Sequence, residues 1–132
     1  MNEVINRFAP LLGRFLIALI FLLSGFNKIG GFAQTAGYMA SKGLPMVEVL
    51  LVLTIVIEIG AALMLIVGWR ARIGAAALLL WMIPVTLVFH NFWAVPAEQQ
   101  QLQMIMFLKN LSMMGAMLYV MAFGSGPYSV KT

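Results

Sequence analysis

Glu58 lies in the middle of a long apolar run, Val47–Val67, which reads VEVLLVLTIVIEIGAALMLIV. A helix of about 20 apolar residues, rising about 1.5 Å per residue, spans the ~30 Å hydrocarbon core of a bilayer. An ionisable group at that depth costs about 2.5 kcal/mol or more, so it normally faces other helices and a partner. The sequence therefore predicts a transmembrane helix whose glutamate needs a partner inside the protein.

The composition favours a membrane protein along the whole chain. Of the 132 residues, 63% are hydrophobic and 9% are charged, whereas a soluble domain has about 25% charged residues. One small core cannot hide so much apolar surface, so we expect the lipid bilayer to cover it. The eight Lys and Arg residues are scattered, which indicates membrane topology and no nucleic-acid partner. The chain has no cysteine, which excludes disulfides and thiolate chemistry of its own.

Four apolar segments predict an all-α fold: a single-domain bundle of four transmembrane helices over residues 1–132. The predicted spans are 8–26, 47–67, 73–92 and 104–123. Gly30–Pro45 is predicted to be a loop with one short helix, and Pro96–Gln103 a short polar connection. The side that holds both termini and the Trp69–Arg72 turn carries more positive charge, so we expect both termini in the cytoplasm.

Polar residues recur at one depth in all four predicted spans, toward the side away from the termini. Four helices that each turned a polar group toward lipid would be unstable, so we expect a shared polar pocket that opens outward. The residues that define it are Lys28, Glu58, His90, Asn91, Lys109 and Asn110. Arg14 is the exception, because it lies toward the other half of the bilayer.

The partner of Glu58 is predicted to be Lys109, with Arg14 as the second choice, and the pair is either structural or part of a functional site. Lys28 is predicted to be an interfacial charge whose long stem reaches the water. His90 stands without a second His or Cys, so the sequence predicts no metal site. The asparagines can equally be hydrogen-bonded contacts between helices.

Several segments together resemble the DoxX family of small bacterial membrane proteins. They are GRFLIALIFLLSGFNKIGGF, GYMASKGLP, IEIGAALMLIVGWRARIGA, FHNFWA and FLKNLSMMGAML, in this order along nearly the whole chain. The residues that match the family pattern are Arg14, Gly25, Lys28, Glu58, Gly68, His90, Lys109 and Asn110. The resemblance implies a four-span helical protein of the bacterial inner membrane. Some relatives are linked to oxidation of reduced sulfur with quinone as acceptor, and others to catechols, hydroquinones or oxidative stress.

The first functional hypothesis is a redox membrane protein with a quinone-type site. Quinone carbonyls need hydrogen-bond donors, and reduction needs a proton source. We assign the catalytic roles to Glu58 and Lys109. The candidate ligand-binding residues are His90, Asn91, Asn110, Lys28 and Arg14. The chain has no haem, flavin or thiol signature, so the electrons would come from a protein partner or a bound cofactor.

The second hypothesis is a non-catalytic membrane subunit, a small-molecule binder or a transporter-like scaffold for a partner protein. Four short-linked helices with an internal ion pair suit this role equally well. Under the first hypothesis, the protein is a membrane oxidoreductase subunit that depends on a partner or a bound quinone. Under the second hypothesis, it is not an enzyme. The sequence leaves homo-oligomerisation open under both.

Overall fold

A computed structural model describes residues 2–130 and contains five α-helices in that range. They are α1 (Asn2–Gly30), α2 (Phe32–Ser41), α3 (Val47–Val67), α4 (Ala71–Phe89) and α5 (Ala97–Phe123). A 3-10 turn, Phe92–Ala94, links α4 to α5. In the described part of the chain, four helices are long and apolar enough to cross a membrane: α1, α3, α4 and α5. This confirms the predicted all-α, four-span fold.

The helix ends differ from the predicted spans at two places that matter for the site. The first helix continues to Gly30, beyond the predicted end at residue 26. The predicted connection Pro96–Gln103 is wrong, because α5 already begins at Ala97. Pro96 precedes the first turn, and Glu98 lies in that turn, where a negative charge complements the helix dipole. The short helix expected between the first two spans is α2.

α3 lies at the centre of the bundle, between α1 and α4, and α4 packs in turn against α5. Small residues let these helices approach closely, as they do in other membrane bundles. A Cβ atom on Gly74 would lie 3.2 Å from the Cβ of Met64. The buried core is rich in alanine and leucine: Ala18, Ala61, Ala62, Leu65, Ala71, Ala75 and Leu78. α1 and α5, at the two ends of this row, form the sides of a cleft.

The two ends of the bundle are built differently. At one end, α2 packs through Ala36 and Met39 against Leu51, near the start of α3. We call this the α2 end. At the other end, the Val130 amide donates to the Val67 carbonyl, with a nitrogen–oxygen distance of 2.9 Å. We call this the terminal end, because residues 2 and 130 both belong to segments that lie there.

Large apolar side chains cover the outer faces of the four long helices. Leu80 is 68% exposed and Phe123 is 74% exposed, values that would be unfavourable in water for so many neighbouring residues. The bilayer removes this penalty, since lipid tails are as apolar as leucine. The protein is therefore a multi-pass membrane protein whose helices are embedded in lipid.

Candidate functional site

Glu58 is buried in the middle of α3, and its charge partner is Lys28. The Glu58 side chain is 2% exposed, and its Oε1 lies 2.8 Å from the Nζ of Lys28. Lys28 also donates to the hydroxyl of Ser24, one helical turn earlier. No donor in the described chain makes an aligned hydrogen bond to Glu58 Oε1. The ammonium contact is thus the interaction that offsets the buried negative charge.

The predicted pairing of Glu58 with Lys109 or Arg14 is wrong, and so is the assignment of Lys28 to the membrane surface. The reason is the length of α1. Because the helix continues to Gly30 and α2 then packs back along α3, Lys28 lies inside the bundle. Its stem needs to cover only the distance to the neighbouring helix.

Gly25 explains how the ion pair forms between α1 and α3. A Cβ atom at Gly25 would lie 2.5 Å from Cγ1 of Ile59 and 3.5 Å from the Cβ of Glu58. The backbone of α1 thus touches the α3 side chains at the level of the carboxylate. Gly25 and Lys28 are three residues apart and share one helix face. The glycine brings the two helices close enough for the lysine to reach Glu58.

A cavity of about 180 Å³ lies beside this ion pair, in the half of the bundle nearer the α2 end. All four long helices line it or border it, as the shared-pocket prediction requires. It brings together five of the seven predicted site residues: Lys28, Glu58, His90, Lys109 and Asn110. Apolar residues complete the wall, among them Phe21, Trp81 and Met113.

Hydrogen bonds fix the side chains on the α4–α5 side of the cavity. The amide nitrogen of Asn110 donates to the hydroxyl of Thr86 at 3.0 Å. The Nδ1 of His90 lies 2.9 Å from Oε1 of Gln103. This contact fixes the orientation of the imidazole ring. The cavity wall therefore holds one amide and one imidazole in fixed positions.

Lys109 gives the cavity an excess of positive charge. No carboxylate of the described residues lies within ion-pair distance of its ammonium, whereas Lys28 is paired with Glu58. Two ammonium groups and one carboxylate thus border the same space. A ligand that carries carbonyl oxygens or a negative charge would complement this arrangement.

Arg14 does not reach the cavity, because it lies toward the terminal end, as its sequence position predicted. It is 3% exposed, and its five N–H donors all bind backbone carbonyls. Nε donates to Leu65 at 2.9 Å, and Nη2 donates to Ile66 and Tyr128. Nη1 donates to Ser125 and Pro127. An arginine has five such donors, so the guanidinium is fully engaged within the protein.

Asn91 is also separate from the cavity. It precedes the 3-10 turn, where its carbonyl accepts from the Ala94 amide. Its side-chain oxygen is buried without a hydrogen-bond partner. The structure therefore separates Asn91 and Arg14 from the other five candidates.

A second cavity, of about 210 Å³, lies under α2 and shares a wall with the first. The shared residues are Lys28, Trp81, Val85 and His90. The indole N–H of Trp81 donates to the Thr54 hydroxyl at 3.2 Å, which fixes the ring between the two spaces. Sequence reasoning missed Trp81, Ser24 and Thr86. The spacing of Ser24 and Lys28 by one helical turn could have indicated that the two side chains share a helix face. A tryptophan in an apolar span gives no such indication.

Fold and site together define a four-span helical membrane protein with a polar cavity inside the bundle. A family model described as DoxX matches residues 9–91. The chain belongs to the DoxX family.

Two similar proteins come from Escherichia coli strain K12. Inner membrane protein YphA is 32% identical over 120 residues, covering 91% of this chain and 86% of the relative. Inner membrane protein YqjF is 31% identical over 120 residues, covering 91% of this chain and 87% of the relative. Both names agree with an inner-membrane location. The Surfeit locus protein 4 homolog of Schizosaccharomyces pombe is 30% identical over 81 residues, which are 60% of this chain and 27% of that protein. No solved structure matches the chain.

Proposed function

We propose that the polar cavity binds the head group of a quinone-type molecule and that the protein is the membrane component of a redox reaction. The observation that carries this proposal is the convergence of polar groups from four helices on one ring-sized space. An apolar cavity of about 150 Å³ holds a benzene molecule, so about 180 Å³ suits one substituted ring. The family resemblance to quinone-linked proteins supports the same ligand class.

The residues fit the chemistry of a quinone. Lys109 and Asn110 are donors for the carbonyl oxygens, and the second amide hydrogen of Asn110 is not used by its bond to Thr86. Reduction of a quinone to a quinol takes up two electrons and two protons. In this proposal Glu58 and Lys109, which both line the cavity, exchange the protons. The electrons come from a protein partner or a bound cofactor, since this chain has no thiol that could supply them.

Lys109→Met tests the ligand contact with little risk to the fold. Because Lys109 has no ion-pair partner among residues 2–130, we expect the yield of folded protein to stay unchanged. We expect the amount of co-purified quinone to fall about tenfold or more, since a charged hydrogen bond contributes about 1.5–3 kcal/mol. The measurement is quinone per protein in an organic extract of the purified protein.

Lys42→Met is the matched control, because Lys42 lies outside the cavity, 5.7 Å from the centre of the Tyr38 ring. It should retain wild-type quinone. Equal quinone content in the Lys109→Met and wild-type proteins would rule out this role for Lys109. A wild-type protein that carries no quinone, and takes none up when it is supplied, would favour the scaffold hypothesis.

The charge bias further supports an orientation with both termini in the cytoplasm and the α2 end outside. A fluorescent reporter that matures only in the cytoplasm, fused after residue 132, should be bright. A fusion inserted between Ser41 and Pro45, in the link after α2, is the matched control and should be dark. The reverse pattern at equal expression would invert the orientation and would place the cavity nearer the cytoplasm.

A further inference from the structure

The cleft between α1 and α5 continues beyond the polar cavity toward the terminal end. A third space, of about 450 Å³, lies between α1 and α5. We call it the furrow. Its residues on α1 are Pro10, Gly13, Arg14 and Ile17, and those on α5 and just after it are Ala116, Tyr119, Val120, Phe123, Gly124 and Ser125. Arg14 is its charged residue, and the donors of that arginine are all taken. The furrow is therefore almost wholly apolar toward any occupant.

The polar cavity and the furrow adjoin along both helices. On α1, Ile17 of the furrow is one turn from Ile20, which lines the polar cavity. On α5, Ala116 of the furrow is one turn from Met113 of the cavity. Residues three or four apart share a helix face. The same faces of α1 and α5 therefore line both spaces, the polar cavity nearer the α2 end and the apolar furrow nearer the terminal end.

The furrow is open space at the depth of the lipid chains. A Cβ atom on Gly13 would meet no atom within 4 Å, whereas one on Gly25 would collide with α3. From Ala116 to Phe123 the furrow runs along seven residues of α5, about 10 Å at the rise of an α-helix. That length is about a third of the ~30 Å hydrocarbon core. An extended apolar chain suits this open and mostly apolar space.

We propose that the furrow holds the single apolar chain of the ligand whose head group occupies the polar cavity. This inference rests on the proposed function, and it adds that the ligand is a prenylated or alkylated quinone-type amphiphile that enters sideways from the bilayer. The apolar tail of the ligand gains little hydrophobic free energy by leaving lipid, because lipid tails are equally apolar. The tail lies in the furrow because the head group is bound in the polar cavity beside it. Blocking the furrow should therefore exclude ligands that carry a tail and should not affect those without one.

Gly13→Leu and Ala116→Leu fill the furrow from opposite walls. Leucine is a better helix former than glycine, and the Gly13 position is free of steric conflict. Gly60→Leu is the matched control, because Gly60 also has no atom within 4 Å of an added Cβ and lines neither the polar cavity nor the furrow. The probes are a benzoquinone without a chain and the same ring carrying three isoprene units. Binding is followed by quenching of Trp81 fluorescence, with Trp69 and Trp93 replaced by phenylalanine.

We expect both furrow variants to bind the prenylated probe on the order of tenfold more weakly, the usual scale of overpacking effects. They should bind the chainless probe like the parent, and Gly60→Leu should bind both probes like the parent. Unchanged binding of the prenylated probe would overturn the inference while leaving the proposed function intact. Equal loss of both probes would also overturn it, since the furrow would then only set the helix spacing.

Two further outcomes concern the parent protein and the oligomeric state of the variants. A parent protein that binds neither probe refutes the proposed function itself, and the inference with it. A furrow variant that binds both probes normally but changes its oligomeric state in size-exclusion chromatography shows that the furrow is covered by a second copy of the chain. That result would overturn the inference in favour of an oligomer interface.

Discussion

Lys28→Met should lower the yield of folded protein sharply, because it leaves the Glu58 carboxylate buried without its cation. Removing one partner of a buried ion pair costs about 3–5 kcal/mol. That cost is a large fraction of the free energy of unfolding of a small protein, about 5–15 kcal/mol. The double variant Lys28→Met/Glu58→Gln removes both charges and should recover most of the loss. The measurement is monodisperse protein after detergent extraction, together with the midpoint of thermal unfolding.

Lys109→Met is the control in this series, because Lys109 borders the same cavity without pairing to Glu58. If Lys109→Met destabilises the protein as much as Lys28→Met, the carboxylate is shared between both lysines. The double variant also separates structure from function. When it folds well but retains no quinone, Glu58 or Lys28 acts on the ligand; when it folds and retains quinone, the pair is structural.

Arg14→Ala should be at least as destabilising, because it deprives five carbonyl oxygens of their donor at once. A buried group left without a hydrogen bond costs about 1–3 kcal/mol, so even partial hydration leaves a loss of several kcal/mol. Arg14→Lys should rescue only part of this loss, since an ammonium has three donors and lacks the planar fork of the guanidinium. Thermal unfolding in detergent measures both.

Arg7→Ala is the matched control on the same helix, because Arg7 is exposed and forms no ion pair among the described residues. It should unfold like the parent. The sequence-based alternative for Arg14 is a ligand-binding role, and it makes the opposite prediction. An Arg14→Ala protein with parental stability and reduced quinone content would support that role and would contradict the structural one.

The general fold could be predicted from the sequence because apolar length determines transmembrane helices directly. The depth of Glu58 followed from its position within α3, and the position of Arg14 in the opposite half followed in the same way. The convergence of Glu58, His90, Lys109 and Asn110 also followed, since lipid penalises each of them separately.

The partner of Glu58 could not be predicted from hydropathy. Lys28 follows the apolar part of α1, so its sequence position resembles that of an interfacial lysine. What places it inside the bundle is the return of α2 along α3 and the close approach at Gly25, and both are tertiary features. The partners of Arg14 could not be predicted either. They are backbone carbonyls, which every residue has, so the sequence does not indicate which of them bind the guanidinium.

The Arg14 contacts also constrain the order in which the protein can be completed during synthesis. Arg14 belongs to the first helix, and three of its acceptors lie 111 to 114 residues later in the chain. While the ribosome is still making α4 and α5, only the Leu65 and Ile66 carbonyls can receive its hydrogens. The first helix therefore enters the membrane with a cation whose binding site is unfinished. Closure of the terminal end is a late event in biogenesis, after residues 125–128 have emerged.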